Sequence, residues 1–152
     1  MGESKRVRIT LESLQDGVSH KHTFIGELFR KERSLYIRYS EQAQEDDPIV
    51  GEVRTLIRYG SDEMSITRRG AIESKQLFVK GGRRAGHFQS AVTAFAMEIE
   101  TTGLHLSVDD GPAKELPNGP PFLLEWQYAL YVNDEMAGRF HLRLHIQEDD
   151  HS

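Results

Sequence analysis

From Arg6 to Gln147, apolar and polar residues alternate one by one, and turn residues interrupt the alternation about every ten positions. Val7, Ile9 and Leu11 face one way, and Arg6, Arg8, Thr10 and Glu12 face the other. The rhythm returns in Phe122, Leu124, Trp126, Tyr128, Leu130 and Val132, and again in Phe140, Leu142, Leu144 and Ile146. A period of two places alternate side chains on opposite faces of a sheet, so every segment has one buried and one wet face. Only Met97 to Leu106 could be argued for helix, and Thr101-Thr102-Gly103 weighs against it. The chain reads as all-β.

Turn chemistry sets the strand count. Asp16-Gly17 between two alternating runs predicts a tight hairpin, because its central residues need positive φ. The second strand runs from Val18 to about Arg30, and Gly26 inside it marks a bulge or bend. Ser34 to Ser40 follows, and then an acidic aperiodic loop, Glu41 to Gly51. Strands are expected over Val53 to Tyr59, Met64 to Arg69 and Ile72 to Lys80. Gly81-Gly82 leads into one long strand-like stretch from about Gly86 to Val108, in which Thr102-Gly103 is a candidate break. Asp109 to Pro121 is rich in proline, which lacks a backbone donor, so it is no central strand. Phe122 to Val132 and Arg139 to Gln147 flank a loop at Asn133-Asp134. Nine or ten strands on short links must be antiparallel neighbours, because a parallel crossover needs about a dozen residues. Closing the meander removes its raw edges, so a barrel of about 8–10 strands is expected. A two-sheet sandwich has the same periodicity and is the alternative.

At 152 residues the chain is expected to be one domain, 1–152, with frayed ends at 1–5 and 148–152. The absence of cysteine excludes disulfides and thiolate metal sites. Met1 to Arg8 is polar, and no segment approaches the roughly 20 apolar residues of a membrane helix. A soluble cytoplasmic protein without a membrane partner is expected. A net charge of −5 argues against a nucleic-acid partner. Yet Glu52 to Gly86 carries eight Lys/Arg against four acids. Its paired arginines, Arg68, Arg69, Arg83 and Arg84, make a candidate interaction face or anion site.

The run Ser65-Ile66-Thr67-Arg68-Arg69-Gly70-Ala71-Ile72-Glu73-Ser74-Lys75-Gln76-Leu77-Phe78-Val79 resembles the bacterial YwiB-like family. So does Ala94-Phe95-Ala96-Met97-Glu98-Ile99-Glu100-Thr101-Thr102. The strand spacing matches from about Val7 to Ile146. The resemblance implies a calycin-like, lipocalin-type antiparallel barrel from a Gram-positive bacterium. It implies no activity and carries over no functional residue.

Several constellations bear on chemistry. His20 and His22 share one strand face, and His141 and His145 share another. If the first and last strands meet, the four could approach one another. Arg139 and Arg143 beside the second pair oppose a cation, so a solvated face is favoured over zinc. A buried histidine could hold haem, with His87 and His105 as candidates, but structural roles are favoured. Glu98 and Glu100 point away from the Met97–Ile99 face and suit cross-strand pairing better than glycosidic chemistry. Gly81-Gly82-Arg83-Arg84 could offer amides to an anion. No nucleophile elbow or phosphate loop is present, so the reading leans away from an enzyme and expects no cofactor or metal. The leading reading is a barrel binding a small apolar or amphipathic, perhaps anionic, ligand in its lumen. Arg68, Gln76, Trp126 and Tyr128 are its candidate lining. The alternative is an interaction module using the basic stretch Arg54 to Arg84, and a homodimer is compatible with either.

Overall fold

The structure is a computed structural model that describes residues 4–42, 51–60, 62–108, 111–113 and 115–149. Every alternating segment is a strand. The first three are β1 (Lys5–Gln15), β2 (Val18–Lys31) and β3 (Ser34–Gln42). The next four are β4 (Glu52–Gly60), β5 (Glu63–Gly70), β6 (Ile72–Val79) and β7 (Arg83–Ser90). β8 (Ala94–Val108), a two-residue β9 (Gly111–Pro112), β10 (Phe122–Val132) and β11 (Glu135–Glu148) complete the set. Each long strand pairs antiparallel with its neighbours, β11 returns beside β1, and β8 pairs with β10. These last two pairings close a ten-stranded antiparallel barrel, so the main ladder has no free edge.

The turns follow from their residues. Asp16 and Gly17 have φ of 50° and 82°, and Asn133 and Asp134 have φ of 54° and 65°. Two successive positive φ values match the right-handed twist of a two-residue hairpin. Gly26 is needed for packing, since a Cβ there would lie 2.3 Å from the Arg38 carbonyl oxygen and 2.7 Å from Ile9 Cδ1.

Two boundaries differ from the sequence reading. Gly86 to Val108 is not one strand, because it turns at residues 91–93, where Ser90 Oγ accepts from the Val92 and Thr93 amides. A short hydroxyl does there what glycine or proline does elsewhere. At Thr102-Gly103 β8 does not break. The register against β10 shifts, pairing Gln127 with Gly103 and Tyr128 with Thr101, so Thr102 is one residue extra. That bulge moves the inward phase from Met97, Ile99 and Thr101 to Leu104 and Leu106.

Apolar residues fill the inside. Val7, Ile9, Ile37, Met64, Phe78, Ile99, Leu124, Leu144 and Ile146 are fully buried, and Trp126 is 1% exposed. Each such side chain contributes roughly 1.5–3 kcal/mol by leaving water. The outer wall is charged, the inverse of a barrel whose outer face meets lipid. No helix among the described residues is long and apolar enough to cross a membrane.

The two ends are built differently. Where β1 starts and β2 ends, the segment before β10 lies over the barrel, with Ala113 and Leu116 packed against the core. It is tied down by Ala113 N donating to Leu106 O at 2.9 Å and Arg30 Nη1 donating to Asn118 Oδ1 at 3.1 Å. At the other end, among the described residues, only short turns border a ring of half-buried side chains, Leu11, Phe24, Phe88, Phe95, Leu130 and Phe140.

Candidate functional site: a polar patch on the inner wall

Register places a row of inward residues across the half away from Ala113 and Leu116. Tyr39 lies opposite Thr55, Thr55 opposite Arg68, Arg68 opposite Ser74, Ser74 opposite Phe88, and Phe88 opposite Phe95. Gln76 lies one step deeper, opposite Ile66, with Nε2 3.9 Å from Met97 Sδ. Tyr128 comes in from β10, its ring 5.0 Å from Phe78 and 5.0 Å from Phe140. Trp126 lies below it, 6.1 Å from Phe78. Arg68, Gln76, Trp126 and Tyr128 therefore all face the interior.

Electrostatics locate the Arg68 charge. Burial raises the pKa of Tyr39 on β3, and the Arg68 charge pulls it back. Burial pushes Tyr128 on β10 up to about 12, against the pull of the Gln76 side chain and Arg68. Arg68, at an inward position opposite Thr55, acts on both tyrosines. Glu41, two residues on from Tyr39, adds its own upward push on that tyrosine.

This patch is short of partners. Among the described residues, Arg68 Nε, Thr101 Oγ1 and Trp126 Nε1 are buried without a hydrogen bond. No carboxylate among the described residues forms an ion pair with Arg68. Buried polar groups in folded proteins are nearly always paired, and among these atoms Arg68 Nε belongs to the polar row between Thr55 and Ser74.

Other expectations come apart. Arg68, Arg69, Arg83 and Arg84 do not share a face. Arg68 is inside, and Arg69 points outward beside it in sequence. Arg83 is occupied, with Nε 2.8 Å from Glu98 Oε2 and its guanidinium 4.1 Å above the Tyr131 ring. Arg84 is exposed and donates to the Arg83 carbonyl at 3.0 Å. The Gly81 and Gly82 amides are already spent on Thr101 O and Val79 O, so they offer an anion nothing.

The four histidines do not meet, although β1 and β11 are neighbours. His22 pairs with inward Leu11, whereas His145 pairs with outward Thr10 and His141 with Leu14. They therefore lie on opposite faces, and no group of three His, Asp or Glu able to hold a metal occurs among the described residues. His87 and His105 are exposed on the outer wall, which removes the basis for haem. His141 instead belongs to a surface ladder. His105, Glu125, Arg143, Glu12 and Lys21 lie opposite one another in that order across five strands. His141 Nε2 is 2.5 Å from Glu125 Oε2, and His145 Nε2 is 3.5 Å from Glu12 Oε1.

Sequence reasoning missed a concavity outside the barrel. A trough of about 1170 Å³ runs over the outer face of β1 to β5, lined in part by Ile25, Phe29, Leu56 and four arginines: Arg6, Arg38, Arg54 and Arg69. The pairing of β4 with β5, which sets Arg54 opposite Arg69, could have revealed part of it.

Comparison with known proteins agrees with this architecture. The crystal structure of the ywiB protein from Bacillus subtilis superposes with a TM-score of 0.76 at 16% identity, covering 97% of this chain and 95% of that one. That likeness establishes a shared fold. No curated protein matches. The family described as Domain of unknown function (DUF1934) matches residues 7–144. This chain belongs to that family of YwiB-like barrels, whose function is unknown.

Proposed function

We propose that this barrel is a non-enzymatic carrier or sensor of a small amphipathic monoanion, held by its head group at Arg68. The observation that carries the reading is the inward Arg68, whose buried Nε has no hydrogen-bond partner and no paired carboxylate among the described residues. Placing a cation against an apolar interior costs several kcal/mol unless an anion accompanies it. A single carboxylate or sulfonate would satisfy the charge, with the Gln76 amide and the Thr55 hydroxyl beside it. Phe24, Phe88 and Phe140, at the end of the barrel away from Ala113 and Leu116, suit its apolar body.

The test uses 8-anilinonaphthalene-1-sulfonate and laurate as probes and dodecanol as a neutral control. Trp126 is the sole tryptophan and lies inside, so its emission reports on the interior. Both anions are expected to shift that emission saturably. Arg68→Met should weaken them by at least about tenfold, the scale of one charge-assisted contact, and leave dodecanol unchanged. Equal anion affinity in wild type and Arg68→Met would sink the assignment, as would no binding by wild type.

A further inference from the structure

The outer trough carries a charge pattern that folding does not explain. Arg38 is satisfied, holding Glu27 through two 3.2 Å contacts and lying 5.3 Å from the Phe29 ring centre. Arg6 is satisfied by Asp149 at 2.6 Å. Arg54 and Arg69 are different. They lie directly opposite each other on β4 and β5, both are exposed, and neither has an ion pair or hydrogen bond among the described residues. Like charges facing each other across strands are destabilising, and an acid at either position would have relieved the repulsion.

Beside this pair the surface turns apolar. Leu56 follows Arg54 on the outward face of β4 and is 37% exposed, and Ile25 on β2 is 43% exposed. Gly26 and Thr55, which face inward, also border the trough, so it reaches down to the backbone of the wall. Two adjacent guanidiniums near two separate exposed apolar side chains, Leu56 on β4 and Ile25 on β2, match a ligand that alternates carboxylates with apolar side chains. An extended strand does so by construction, with a period of about 6.6–6.8 Å for alternate residues. The open trough exceeds the usual volume of a small-molecule pocket, roughly 300–1,000 Å³.

We infer that the trough docks an extended acidic–apolar peptide segment of a partner protein, with Arg54 and Arg69 gripping its carboxylates and Leu56 and Ile25 receiving its apolar residues. The inference goes beyond the lumen reading and is independent of it, since Arg68 and Arg69 lie on opposite faces of one strand. Arginine suits the role because its planar fork meets a carboxylate through two parallel bonds.

Fluorescence anisotropy with a labelled peptide of alternating glutamate and leucine provides the test. Wild type should bind it, Arg54→Glu/Arg69→Glu should lose at least about tenfold in affinity, and Lys80→Glu/Arg139→Glu, with the same net-charge change elsewhere, should not. In the same preparations, Arg69→Glu alone should raise the melting temperature by about 1–3 °C, because repulsion becomes attraction. No binding by wild type, equal loss in both double variants, or equal binding of a glutamate–serine peptide would overturn the inference. So would a fall in melting temperature for Arg69→Glu, which would make the arginine pair part of the fold's own stability.

Discussion

The two ends of this barrel use the same alternation and put it to different ends. At the covered end the inward positions are Val7, Leu28, Leu35, Met64, Phe78, Phe122 and Ile146, all buried, under a segment that adds Ala113 and Leu116. At the other end the inward row is Tyr39, Thr55, Arg68, Ser74, Phe88 and Phe95, polar in its centre and half-buried at its flank. The first half satisfies only packing. The second leaves donors unpaired that a hydrocarbon core would not tolerate. A fold whose packing is complete in one half can leave buried polar groups in the other.

The sharpest way to break that contrast is truncation at each end. Phe78 is fully buried and touches the Trp126 and Tyr128 rings. Phe78→Ala should cost about 3–5 kcal/mol in urea unfolding. Phe88→Ala, stacked 5.2 Å from Phe95 on the half-buried flank, should cost only about 1–2 kcal/mol. Equal losses would show that the two ends are packed alike.

Alkaline pH probes the polar half alone. Tyr128 has its folded pKa raised to about 12 from 10.0, and Tyr39 is raised as well. A raised folded pKa means that the native state holds its proton more tightly than the unfolded chain. The stability it contributes is complete below pH 10 and is lost as pH climbs through 12. For Tyr128 that loss is on the order of 2–3 kcal/mol. Denaturation series between pH 9 and 12 should show a steeper decline for wild type than for Tyr128→Phe. Parallel slopes would mean that the Tyr128 hydroxyl is effectively in water.

How much of this was legible in the sequence depends on what alternation encodes. It gives the phase of a strand and so placed Arg68, Gln76, Trp126 and Tyr128 inside. It does not give the phase of one strand against the next. His20 and His22 could therefore be imagined beside His141 and His145, although pairing puts them on opposite faces. Bulges are equally hidden, since Thr102 shifts the register by one residue without ending β8. The turn at 91–93 escaped because it rests on one serine hydroxyl and not on glycine or proline. The proline-rich segment was rightly excluded as a central strand, yet nothing periodic told that Ala113 and Leu116 would cover the core. The outer trough depends on curvature, which only the closed sheet supplies.

The smallest expected effect is the most telling, because its sign is opposite at the two ends. Removing an inward side chain at the covered end lowers stability. Arg68→Met keeps most of the volume and apolar stem of the arginine but removes a charge whose buried Nε has no partner among the described residues. Replacing a desolvated charge by a hydrophobic residue of similar size is often neutral or stabilising. Arg68 is only partly buried, so the gain should be modest, about 1 kcal/mol in the urea midpoint at unchanged slope. Saturating laurate should then reverse the order, stabilising wild type by at least about 1.4 kcal/mol more than Arg68→Met, the equivalent of the tenfold affinity difference. A variant less stable than wild type without any ligand would mean that Arg68 holds the wall together, and the inner patch would lose its claim to be a binding site.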